Sequence, residues 1–199
     1  MLTEDTLGEE LQYWFSKYII SPDANVDFQD KATFGKALAI FDSDYNRYYD
    51  SEKIEMHNVR IRAELQGILL YRIAREYFIA GNPLCDTYAA LGRWLSGFEI
   101  YYSAEVGESF KINHGMGTVV GARSKIGKNA TLHHGITLGD KAGGRPTLKN
   151  NVIVYPAATI IGNITIGNDC VVAANSVCMI NVPDGATVAG NPAKIIKVR

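Results

Sequence analysis

With 199 residues, 47% of them hydrophobic and 21% charged, the chain has the composition of a globular protein able to bury a core without staples. A formal net charge of -1 excludes a general attraction for nucleic acid or anionic membrane, so any phosphate recognition has to come from a local cluster of Lys or Arg. Three cysteines, Cys85, Cys170 and Cys178, lack C-x-x-C spacing and read as reduced, buried thiols rather than a disulfide framework or a zinc site.

The amino-terminal stretch "MLTEDTLGEELQYWFSKYII" is acidic and lacks a basic leader followed by an apolar core, and no run of about 18 apolar residues follows; a cytoplasmic protein is expected. Weak helical patterns cover 4–20 and 32–41, and the polar stretches "SPDANVDFQD" and "FDSDYNRYYDSE" read as connections. A stronger pattern occupies "NVRIRAELQGILLYRIAREYFIAG", with Ile61, Leu65, Ile68, Leu69 and Ile73 at helical spacing and a stop at Gly81-Asn82-Pro83. Residues 1–97 therefore form a helical domain.

From Ile100 onward the period is six. Hexads begin at Ile100, Val106 and Ile112, then at Val120, Ile126, Leu132 and Leu138, then at Leu148, Val154, Ile160, Ile166, Val172 and Cys178. The second position is often Gly or Ala and the fifth is small or β-branched. This is a hexapeptide repeat: each hexad makes one short strand and turn of a triangular parallel β-helix, with the first-position aliphatics stacked inside. The fold class is thus α+β, a helical half followed by a β-helix over 98–199.

The rhythm breaks twice, by two residues after the hexad of Ile112 and by four within "GDKAGGRPT". Insertions in a solenoid leave its core and become loops on its surface, where function concentrates. Counting both, His114, His134, Pro156 and Ala174 form one vertical column at a corner of the prism, and both loops are expected near His114. A histidine flanked by glycines in such a loop suits a general base that takes the proton of an attacking hydroxyl. "GMGTVVG" misses the G-x-G-x-x-G spacing and opens no helix, which excludes a dinucleotide fingerprint.

Beyond residue 98 the motifs "NHGMGTVVGARSKIG", "ATLHHGITLG", "GGRP", "IIGNITIGNDCVVAANSV" and "VPDGATVAGNPAKII" resemble the serine acetyltransferases and related hexapeptide acyltransferases, with a weaker likeness at "LLYRIARE". The resemblance implies a left-handed β-helix, a homotrimer or a dimer of trimers, and acetyl transfer from acetyl-CoA with no metal. It aligns His114 with the catalytic histidine and puts Glu99 where the family has the aspartate that orients it. It implies acceptor-binding roles for Asn113, Arg145, His134 and, with a one-residue slip, Asp50. His133 would line the pocket. Gly139, Tyr155, Pro156 and Ala174 would line the pantetheine groove, with Lys194, Lys197 and Arg199 near the CoA phosphates.

Asn113 stands where the family has an ammonium-binding aspartate, no histidine follows Arg145, and "GFEI" precedes the first coil. In these features the chain resembles the polysaccharide O-acetyltransferases of the same branch. The expected acceptor is therefore a sugar hydroxyl of a capsule, O-antigen or exopolysaccharide precursor, with L-serine as the alternative. A metalloenzyme of the β-helix type would need three convergent histidines; His57 lies in the helical half, and only His114, His133 and His134 lie in the repeat.

Overall fold

A computed structural model describes residues 1–18, 26–51 and 53–198. In α1 (Glu4–Lys17) the Thr3 hydroxyl accepts from the Thr6 N–H in a capping box; residues 19–20 of the expected helix lie outside the described residues. α2 (Lys31–Tyr45) is capped by Asp30, which accepts from the Thr33 N–H, and it runs on through "FDSDY", expected to be a connection. That stretch is helical because Phe41, Asp44 and Tyr45 are fully buried on one face. The polarity of Asp44 is satisfied by tertiary partners rather than by solvent.

α3 (Met56–Ile61) and α4 (Ala63–Ile79) divide the long amphipathic run between them. α5 (Leu84–Ser96) was not anticipated. The Asn82-Pro83 stop signal also starts a helix, since proline's missing N–H costs nothing in a first turn. α5 ends at Gly97, whose φ of 69° closes the helix in the left-handed conformation directly before the first strand.

The strands form three stacked faces. The first holds β1 (Glu99–Ile100), β4 (Val119–Val120), β7 (Thr137–Gly139), β10 (Thr159–Ile161) and β13 (Val177–Cys178). The second holds β2 (Glu105–Val106), β5 (Lys125–Ile126), β8 (Thr147–Leu148) and β11 (Thr165–Ile166). The third holds β3 (Lys111–Ile112), β6 (Thr131–Leu132), β9 (Ile153–Val154) and β12 (Val171–Val172), closed by β14 (Ala186–Gly190) and the antiparallel β15 (Ala193–Val198). All other strand pairs are parallel, and first-position residues stack in register: Ile112 on Leu132, Val154 and Val172, and Ile100 on Val120, Leu138, Ile160 and Cys178. These residues are buried, so the six-residue period is the period of the core.

A parallel β-helix has an open first coil whose outward-facing backbone groups need partners. Here α2, α4 and the turn after α2 supply them with side chains. Tyr71 donates to the Ala104 carbonyl at 2.8 Å, and Arg72 donates to the carbonyls of Val106 and Gly107 at 2.6 and 2.7 Å. Ser43 and Asp44 accept from the N–H groups of Ser109 and Phe110, and Arg47 donates to the Ser109 carbonyl. Arg72 also forms a bidentate pair with Asp44, with the two side chains 3% and 0% exposed. The helical half thus acts as a side-chain rung beneath the first coil, and one apolar cluster runs from Leu2 through the helices into the prism to Ala193.

Candidate active site

The corner between the third and first faces carries the histidines. In the second, third and fourth coils this corner is regular: the Ala157 N–H donates to the His134 carbonyl and the Asn175 N–H to that of Pro156. In the first coil the equivalent rung runs from the Gly135 N–H to the carbonyl of Met116, not of His114. The column at this corner is therefore Met116, His134, Pro156 and Ala174, with Met116 in the place expected for His114. The two surplus residues are His114 and Gly115 themselves, because the inter-coil hydrogen bonds hold the flanking residues in step and push the excess into a bulge. His114 is exposed at a φ of 54°. Gly115 turns inward, where a Cβ would stand 2.5 Å from Phe98 Cδ1 and 2.7 Å from Ile112 Cγ2. Only glycine fits there, and the imidazole is left outside.

Glu99 lies on β1 at the foot of this corner; its N–H donates to the carbonyl of Thr118, four residues after His114. Its carboxylate is held by Arg93 of α5 at 2.7 Å, and the structure shows no hydrogen bond from it to His114. Thr118, fully buried, donates to the His133 carbonyl and accepts from the Ile136 N–H. It links the bulge to the coil above, and nothing in its sequence position signalled that. Asn113 is half-buried next to the bulge, its N–H on the Leu132 carbonyl. Asp50 is exposed in the segment after α2, two residues beyond Tyr48, whose hydroxyl bonds to both backbone polar groups of Ile112.

Above the bulge His133 stacks on Tyr155, with ring centroids 5.1 Å apart and planes 15° apart. Burial pushes the His133 imidazole below its ordinary pKa, helped by the neighbouring His134 and His114. His133, His134 and His114 therefore share one electrostatic neighbourhood, with His133 favoured neutral. Tyr155, Pro156 and Ala174 lie at this same corner, so the column offers a ring, a proline and a methyl along the coils. Gly139 closes β7 at the opposite edge of the first face. Lys194 and Lys197 are exposed on β15, and Arg199 lies outside the described residues.

The second insertion, 140–146, is a tight hairpin with Lys141 and Gly144 bridged and Ala142 and Gly143 at positive φ. Arg145 is held inside it: Nε donates to the Ala122 carbonyl at 2.8 Å and the guanidinium pairs with Asp140. This loop leaves the corner between the first and second faces, whereas His114 lies at the corner between the third and first. The expectation that both loops emerge beside one histidine fails within one chain, because a strand of the first face, on the order of 15–20 Å of hexad, separates successive corners. Among the described residues no group of three or more His, Cys, Asp or Glu is arranged to hold a metal, and no helix is long and apolar enough to cross a membrane.

Comparison with known proteins places this geometry in a family. Residues 117–156 match the family model described as the hexapeptide repeat of succinyl-transferase. The Helicobacter pylori serine acetyltransferase is 37% identical over 142 residues, covering 66% of this chain and 80% of the relative. The crystal structure of Neisseria gonorrhoeae serine acetyltransferase superposes with a TM-score of 0.80 at 26% identity, covering 96% of this chain and 79% of that one. A structure from the same organism in complex with serine gives 0.79 at 26% identity, over 94% and 83%.

These findings overturn the polysaccharide reading: the similar proteins are serine acetyltransferases, and nothing in the comparisons supports a glycan acceptor. The inference from Asn113 and "GFEI" gave one polar side chain too much weight, since an acceptor site is set by the groups that converge on it and a single amide in place of a carboxylate leaves the others standing. Helices followed by a parallel β-helix, the His114 bulge and this likeness, spanning four fifths of the Helicobacter relative, make the chain an acyltransferase, and it belongs to the serine acetyltransferase family.

Proposed function

We propose that the protein transfers the acetyl group of acetyl-CoA to the hydroxyl of L-serine. The observation that carries this is the 37% identity to a serine acetyltransferase across most of that relative, joined to a histidine bulge that breaks the repeat at one corner. In the reaction His114 takes the hydroxyl proton as the serine oxygen bonds to the thioester carbonyl carbon. The carbon–sulfur bond breaks, and the sulfur leaves with that proton. Acetyl-CoA supplies the thioester; Tyr155, Pro156 and Ala174 present a smooth column on which a pantetheine arm can lie, and Lys194 and Lys197 are the cations closest in type to its phosphates. Glu99 steadies the imidazolium once it exchanges Arg93 for His114.

Serine's ammonium needs an anion, which Asn113 is not. Asp50 supplies it, brought to the His114 coil by Tyr48. Arg145 pairs with the serine carboxylate in place of Asp140. Since His114 and Arg145 leave different corners of the prism, one site takes its histidine from one copy and its arginine from another, which is the reason for reading the active unit as a homotrimer. Thiol release from acetyl-CoA tests the function. Saturable, serine-dependent release is expected; release that L-serine does not accelerate would remove the assignment.

A further inference from the structure

We infer that Tyr48 is a positioning residue for this reaction, setting the place of the His114 bulge from the helical half; the role in turnover rests on the serine acetyltransfer reading above. β3 is the edge strand of the third face. Its neighbours Lys111 and Asn113 donate to the Ala130 and Leu132 carbonyls of the coil above. In a parallel strand the residue between them points its N–H and C=O the other way, so Ile112 faces the open edge. The Tyr48 hydroxyl takes both groups, accepting from the Ile112 N–H at 2.8 Å and donating to the Ile112 carbonyl at 2.6 Å. One oxygen atom replaces a missing strand, at the residue two before His114.

The phenol is itself fixed. It is half-buried, and that burial pushes its pKa well up, so it keeps the proton it donates. Lys111 Nζ lies 5.0 Å from the ring centroid and the Arg62 guanidinium 5.8 Å, and Arg62 donates to the Tyr49 hydroxyl at 2.7 Å. The same turn carries Asp50. Tyr48 therefore ties the segment bearing a substrate-binding carboxylate to the segment bearing the base, and a shift in either changes the distance between ammonium site and imidazole. Tyr71, which caps the Ala104 carbonyl, sits on another edge of the open coil and touches neither segment.

The test pairs Tyr48→Phe with Tyr71→Phe, each of which deletes a hydroxyl that caps the first coil. Tyr48→Phe is expected to lower kcat with L-serine by about 10- to 100-fold, the scale of a reacting group misplaced by an ångström, with KM for acetyl-CoA unchanged. Amide exchange at Ile112 and Asn113 is expected to speed up in the same variant. Tyr71→Phe is expected to lower thermal stability while keeping kcat and exchange at Ile112. The inference is overturned by an unchanged kcat in Tyr48→Phe, by an equal loss in Tyr71→Phe, or by an Ile112 amide that exchanges in the wild-type protein as fast as open chain. A wild-type protein inert toward L-serine would refute the serine reading and not the positioning, which exchange at Ile112 decides by itself even if Tyr48→Phe does not fold.

Discussion

His114 and Gly115 divide the first insertion between them: one adopts a left-handed conformation that puts an imidazole outside, and the other fills a space with no room for a Cβ. Replacing the proposed base tests the first role. His114→Ala should fold and bind CoA as the parent does while turnover falls by ~10²- to 10⁴-fold, measured as serine-dependent thiol release. Gly115→Ala tests the second. Its methyl would overlap the Phe98 ring, so a loss of ~1–3 kcal/mol in thermal or denaturant unfolding is expected, with a displaced bulge and lower turnover. His133 gives a pH effect of defined sign. Its folded-state pKa lies below the ordinary 6.5, so as pH falls below that value the unfolded chain takes up a proton that the folded one refuses. Stability contributed by the neutral His133–Tyr155 stack is present above about pH 6.5 and is lost below it, and in His133→Phe the unfolding midpoint should fall less between pH 7 and 5.

At the scale of elements, the helices and the β-helix depend on one another through the polar residues of α2 and α4. Asp44 and Arg72 are buried together and also serve Phe110, Val106 and Gly107. Arg72→Met should therefore cost ~3–5 kcal/mol in equilibrium unfolding, because it leaves a buried carboxylate without its counter-charge and two carbonyls without partners. A loss under 1 kcal/mol would mean that water replaces the guanidinium. The corner between the second and third faces shows a related device. Asn129 donates to Asn151 and Asn151 to Asp169, all three at positive φ, with Arg47 donating to Asn129 from below. Asn and Asp tolerate the left-handed corner, and their side chains join one coil to the next.

At the scale of the molecule, the proposed trimer, with its site shared between two copies, predicts complementation. Neither His114→Ala nor Arg145→Ala alone should turn over well. Trimers reassembled from an equal mixture should recover activity at about a quarter of the sites, those pairing an intact histidine from one copy with an intact arginine from another. No recovery, alongside sedimentation of an active monomer, would place the whole site in one chain.

The sequence by itself determined the β-helix, since a repeat of six with aliphatics at one position has a single way to bury them, and the strand registers follow that count coil by coil. It also marked His114, because an interruption of a strict period is visible without any structure. It did not reveal α5, whose start coincides with the signal that ends α4, nor the helical character of "FDSDY", whose Ser43 and Asp44 bond to a coil more than 60 residues away. Nor did it say which residues form the bulge: the count allowed His114 into the column, and the Met116 to Gly135 hydrogen bond decided otherwise. The roles of Tyr48, Thr118 and Arg93 depend on which backbone groups the folded chain leaves unpaired and which carboxylates it brings within reach. Those are properties of the assembled coil and of no local pattern, so only the tertiary structure could decide them.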